Sequence, residues 1–155
     1  MGFSVQVSGG AELYRLRGQL KQLGDTGLGK HMDRAFKAAV KPLGPAIREE
    51  AGQALPSGYA PVLSKSLRFR LASKTKRQST EVSYRVFGDG KRERRDVPSL
   101  NRGKLRHPVY GKRRKAWVEQ KVRPGFVDRP ADRLMPDISR EMRSVIKYVS
   151  NELKG

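Results

Sequence analysis

Side chains able to do covalent or acid–base chemistry are scarce in this sequence. It has no cysteine, so disulfides, thiolate nucleophiles and thiolate zinc sites fall outside its chemistry. His31 and His107 are the two imidazoles, too few for a histidine-based metal cluster, and no metal or other cofactor is expected. His107 lies between Arg106 and Pro108 without the partners of a catalytic triad. An RNase-like activity would rest on that residue alone, and a structural histidine is the simpler reading. Glu49 and Glu50 are adjacent, and neighbouring positions on a helix point in different directions, which makes them a solvated face rather than an acid–base pair. Asp128 and Asp132, four apart, share a helix face, but Arg129 and Arg133 flank them. That pattern reads as helix-end electrostatics, not a metal site. Gly88 and Gly90 complete no GxGxxG, and no GK[ST] string occurs. No catalytic residue emerges, and the chain is not expected to be an enzyme.

What the sequence does offer is positive charge. It carries 34 Lys plus Arg against 15 Asp plus Glu, a formal net charge of +19 over 155 residues. The excess sits in the middle: residues 65–133 hold 22 basic and 7 acidic side chains, against 8 and 5 in residues 1–64 and 4 and 3 in residues 134–155. Two runs concentrate it. The first is Lys91, Arg92, Arg94 and Arg95, with Arg102 and Lys104 close behind; the second is Lys112, Arg113, Arg114 and Lys115. Such runs would neutralise phosphates and release counterions, giving strongly salt-dependent binding. An acidic protein surface is the other neighbour they suit. Tyr110 and Trp117 stand close enough to stack on bases, although each position also suits a sheet core. No helix-turn-helix, zinc-finger or RNA-recognition string occurs, so base-specific reading is not expected. A free-standing, non-specific nucleic-acid-binding protein is one function these features support.

The length points to one domain of 155 residues. At 36% apolar residues the core is modest, since globular domains reach roughly 45–50%. Apolar runs of a few residues are far short of the roughly 20 that span a bilayer. MGFSVQVSGG lacks the basic and apolar regions of a signal peptide, and Gln6 breaks the myristoylation pattern. A soluble, intracellular protein is expected.

The elements that must carry these residues follow from periodicity. Leu13, Leu16, Leu20 and Leu23 predict an amphipathic helix over 11–23, stopped at Gly24. Leu28, Met32, Ala35, Phe36, Ala39 and Val40 predict a second, broken near residue 41 because Pro42 removes a backbone donor. Pro45 then opens a third stretch through Ile47, Ala51 and Leu55. Leu67, Phe69 and Leu71, then Val82, Tyr84 and Val86, alternate with polar residues and predict two strands joined by a basic loop over 73–79. Residues 88–105 have no period and read as a flexible basic loop or arm. His107–Tyr110 and Ala116–Val122 read as a second hairpin with a basic turn. Ala131, Leu134, Ile138, Met142, Val145, Val149 and Leu153 trace a final helix, with Asp128 at its start, Pro130 in its first turn, and Pro136 as a kink or its true beginning. The fold predicted is a single α+β domain. Its small antiparallel sheet of about four strands carries N-terminal helices and a long C-terminal helix.

The string Arg106-His107-Pro108-Val109-Tyr110-Gly111, then Trp117-Val118-Glu119-Gln120, then Arg123-Pro124-Gly125-Phe126, resembles the C-terminal half of neck and tail-completion proteins of long-tailed bacteriophages, especially those of actinobacterial hosts. The stretch ALPSGYAPVLSKSL is similar to the family's Pro-x-x-Gly-x-Leu-x-x-Ser segment, and the order of elements agrees along nearly the whole chain. Two features differ from the family: the looser spacing over 56–66, and the prolines at 42 and 45 in a helix usually kept long. The resemblance implies a structural virion protein without catalysis. Its copies would form a ring, commonly six-fold, at the head–tail junction or the head-proximal end of the tail. The implied neighbours are connector or stopper proteins, tail-tube or terminator proteins, and phage DNA passing through the lumen unread. The implied location is the virion neck or tail, and the host cytoplasm during assembly. Among the motif residues, Pro108, Gly111, Pro124 and Gly125 are expected to fix turns. Trp117 and Phe126 are expected to fill the core, with Tyr110, Trp117 or Phe126 touching a neighbouring subunit as the second role.

Overall fold

The computed structural model describes residues 2–89, 96–108 and 117–155. Along them run β1 (Gly2–Gly10), α1 (Ala11–Leu23), α2 (Thr26–Val40), α3 (Leu43–Ala54), α4 (Ala60–Ser66), β2 (Leu67–Lys76), β3 (Ser79–Gly88), α5 (Val97–Asn101), β4 (Lys104–Pro108), β5 (Trp117–Lys121) and α6 (Asp128–Lys154). The fold is α+β, with small antiparallel sheets and the long C-terminal helix packed on a sheet.

The strands form a three-stranded sheet, in the order β1-β3-β2, and a separate two-stranded sheet of β4 and β5. This corrects the expected sheet of about four strands. β3 is occupied on both sides, by β1 and β2, so it offers no edge to the second hairpin. β1 supplies the extra strand: Phe3, Val5 and Val7 alternate with Ser4, Gln6 and Ser8, the period of a strand with one dry face.

The chain clusters into two units. One comprises residues 4–43, 70–85 and 133–155. Within it Leu13, Leu16 and Leu20 of α1 and Met32 and Phe36 of α2 are buried, as are Val82 and Tyr84 of β3 and Ile138, Met142 and Val149 of α6. The helical residues recur at three- and four-residue spacing, which puts them on one apolar stripe. The N–H of Gly24 returns to the Lys21 carbonyl at 3.2 Å and closes α1. Asp25 then opens α2 by accepting from the Leu28 N–H at 2.9 Å. Arg17 of α1 donates to Asp33 Oδ1 of α2 at 3.2 Å and to Ser73 Oγ of β2 at 3.4 Å. β2 and β3 run on to a two-residue turn, Arg77–Gln78, tighter than the loop expected over 73–79. Both turn residues have positive φ, 50° and 58°, as type I′ hairpin turns require. The hydroxyls of Thr75 and Thr80 meet at 2.9 Å across it.

The other unit comprises residues 1–3, 44–69 and 86–132. Ile47, Ala51, Leu63, Leu67, Val97 and Phe126 are among its buried side chains. Arg48 of α3 donates to the carbonyls of Ser64 at 3.3 Å and Leu67 at 3.2 Å, satisfying acceptors that the end of α4 leaves open. Its guanidinium lies 4.8 Å from the centre of the Phe69 ring, a cation–π distance.

The arm expected over 88–105 is replaced, over its described part, by ordered structure. β3 extends to Gly88, α5 covers Val97–Asn101 and β4 begins at Lys104. Val97 and Leu100, one turn apart, are buried and fix α5 in place. α6 runs through Pro136 without a break. Among the described residues no helix is long and apolar enough to cross a membrane.

Candidate docking surface

The described residues of the motif that carries the resemblance belong to one local construction within residues 96–132. Asp96 opens α5: its carboxylate accepts from the Ser99 N–H at 3.3 Å and from the Ser99 hydroxyl at 2.5 Å. Arg102, just past the helix, donates to the Ser99 hydroxyl at 3.2 Å. α5 delivers Asn101, which is 4% exposed. Its side-chain oxygen accepts from the backbone N–H groups of Val127, at 2.9 Å, and Asp128, at 3.3 Å. Its side-chain nitrogen donates to Asp128 Oδ2 at 2.8 Å, and its own carbonyl accepts from Gly125 N–H at 2.7 Å. One buried amide therefore satisfies the opening N–H groups of α6 and fixes the return of the chain from the second hairpin.

Two glycines make this return possible. Gly103 has φ of 89°, and a Cβ there would sit 2.8 Å from the Val122 carbonyl oxygen. The Val122 N–H meanwhile donates to the Gly103 carbonyl at 2.9 Å and closes the hairpin base. Gly125 has φ of 84°, as a turn glycine after Pro124. Arg129 locks the far side. Its guanidinium reaches Glu50 Oε2 of α3 at 3.0 and 3.3 Å and also donates to the Pro124 carbonyl.

From this base β4 and β5 run antiparallel, pairing Lys104 with Lys121, Leu105 with Gln120, Arg106 with Glu119, His107 with Val118 and Pro108 with Trp117. Alternation puts Lys104, Arg106, Trp117, Glu119 and Lys121 on one face. Lys104 and Glu119 approach to 3.9 Å, a long, exposed pair of little energetic weight. Leu105 is buried on the other face, and His107 is half-buried. Every residue of β5 is exposed. Trp117, expected in the core, is 40% exposed, and Val118 is 42% exposed, because among the described strands β5 pairs with β4 alone. Phe126 is fully buried, as expected. One face of the ribbon offers an indole and three cations and the other an exposed valine, beside the backbone of β5.

Of the other sequence-derived candidates, Lys91, Arg92, Arg94, Arg95, Tyr110, Gly111, Lys112, Arg113, Arg114 and Lys115 lie outside the described residues. The structure adds Asn101, Glu50 and Arg129, whose roles depend on partners distant in sequence. It also adds a second cationic surface on β2 and β3, where Lys74 and Lys76 belong to a strand rather than to a loop. Comparison with protein-family models, curated proteins and solved structures finds no match to this chain.

Proposed function

We propose that this protein is a non-catalytic structural subunit of a long-tailed phage virion, assembled as a ring at the head–tail junction or the head-proximal end of the tail. The motif resemblance supplies the class of assembly. The observation that carries the reading is the β4–β5 ribbon: five-residue strands, a second strand exposed throughout, and a base fixed by buried Asn101. A two-stranded ribbon alone is marginal in water. Exposed Trp117 on one face and Val118 on the other, on a mount fixed at its base, suit a ribbon that inserts against another copy or an adjoining ring protein, since aromatic anchors dominate such contacts. The partners proposed are other copies of this chain, the neighbouring connector and tail-tube proteins, and the DNA in the lumen.

Mass spectrometry of purified, cross-linked virions from the phage that encodes the chain tests this. Cross-links from Lys104 or Lys121 to a second copy or to a neck or tail-tube protein are expected. Virions that complete their tails without this chain would overturn the proposal.

A further inference from the structure

We infer that the solvent-facing side of the β2–β3 hairpin is a binding surface for the phosphodiester backbone of nucleic acid. Thr75 and Thr80 meet across the hairpin, so strand alternation places Arg70, Lys74 and Lys76 of β2 and Arg85 of β3 together on the opposite face. All four are exposed, and the acid that shares their face, Glu81 of β3, stands across from Lys74 in the register that the Thr75–Thr80 pair sets. Among the described residues none of the four cations closes an ion pair. Continuing the register from the Thr75–Thr80 pair sets Arg70 across from Arg85, and like charges directly opposite destabilise a sheet. Neither arginine closes an ion pair among the described residues, as on a surface whose counter-charge comes from a ligand.

The spacing fits a polyanion. Alternate residues along a strand lie roughly 6.5–7 Å apart and neighbouring strands about 4.8 Å apart, so the cations form a flat grid that a charged chain can lie across. The chemistry separates nucleic acid from an acidic protein. Protein partners gain affinity from buried aromatic and apolar anchors. The hairpin's tyrosine, Tyr84, is buried instead; the positions beside the cations are Ala72, Ser79 and buried Ser83, with Phe87 and the Asp89-paired Arg68 at the end away from the turn. A face of charge and small polar groups, whose one ring, Phe87, is half-buried at the end away from the lysines, suits phosphates and leaves the bases unread. The inference is independent of ring assembly, since one subunit carries the whole face.

Fluorescence anisotropy of the full-length protein with a short mixed-sequence DNA duplex, across a salt series, tests it. Each phosphate neutralised contributes about −0.9 to the log–log slope. Replacing Arg70, Lys74, Lys76 and Arg85 together by Gln is therefore expected to flatten the slope by about 3 to 4. The pair Arg70→Lys and Arg85→Lys should leave it unchanged. If the fourfold variant does not fold by circular dichroism, Lys74→Gln with Lys76→Gln should flatten the slope by about 2. An unchanged slope in a folded glutamine variant overturns the inference. So does poly-glutamate displacing the duplex at equal charge concentration, which would make the face a general polyanion site.

Discussion

Asn101 concentrates more of the local structure than any charged residue does. Its side chain serves two backbone N–H groups and one carboxylate oxygen at a position water barely reaches. Asn101→Ala leaves the buried Val127 N–H unpaired, at a cost of about 1–3 kcal/mol, read as a lower urea midpoint at unchanged m-value. Asn101→Asp keeps the acceptor but sets a second carboxylate against Asp128, and should not rescue stability. Arg85 makes the opposite case, a residue whose charge weakens the fold it belongs to. Arg85→Glu would turn the repulsion with Arg70 into attraction, raising stability by up to about 1 kcal/mol while weakening duplex binding. Thermal melts and anisotropy on one preparation would show the two effects with opposite signs.

At the scale of elements, the Arg77–Gln78 turn holds two side-chain-bearing residues at positive φ, where Asn-Gly is favoured. Arg77→Asn with Gln78→Gly should stabilise the hairpin by about 1 kcal/mol, a rise in Tm of roughly 2–4 °C for a chain of this size, checked by calorimetry. The same hairpin shows what sequence reading reaches. α1, the break between α2 and α3, and the stripe of α6 were legible because leucine spacing and proline chemistry act locally. The strands of β2 and β3 were legible as alternation, but not where they end. Lys74 and Lys76 look like loop residues in sequence and become surface ligands only when the strands extend to the turn. β1 was hidden among small and polar residues, its apolar positions few and short. The exposure of Trp117 follows from which strand β5 does not touch, and local pattern holds no record of that. Asn101 was invisible for the same reason: its partners are Val127 and Asp128, beyond an entire hairpin.

For the whole molecule, a closed ring requires two different complementary surfaces on every subunit. In the proposed assembly the β4–β5 ribbon is one. The outer edge of β1 is the other, a nine-residue strand with no charged residue and no proline between Gly2 and Gly10. Natural sheets usually guard an exposed edge with just such residues. In that assembly the net charge of +19 would draw in an anionic neighbour. The ring itself is the central claim, and sedimentation velocity with native mass spectrometry tests it most directly. The 17.4 kDa chain should assemble into one discrete multiple of its mass. Trp117→Ser with Val118→Thr should yield a monomer with an unchanged circular dichroism spectrum. A wild-type protein that stays monomeric alone and with its tail-tube partner, or a doubly substituted one that assembles as before, would contradict it.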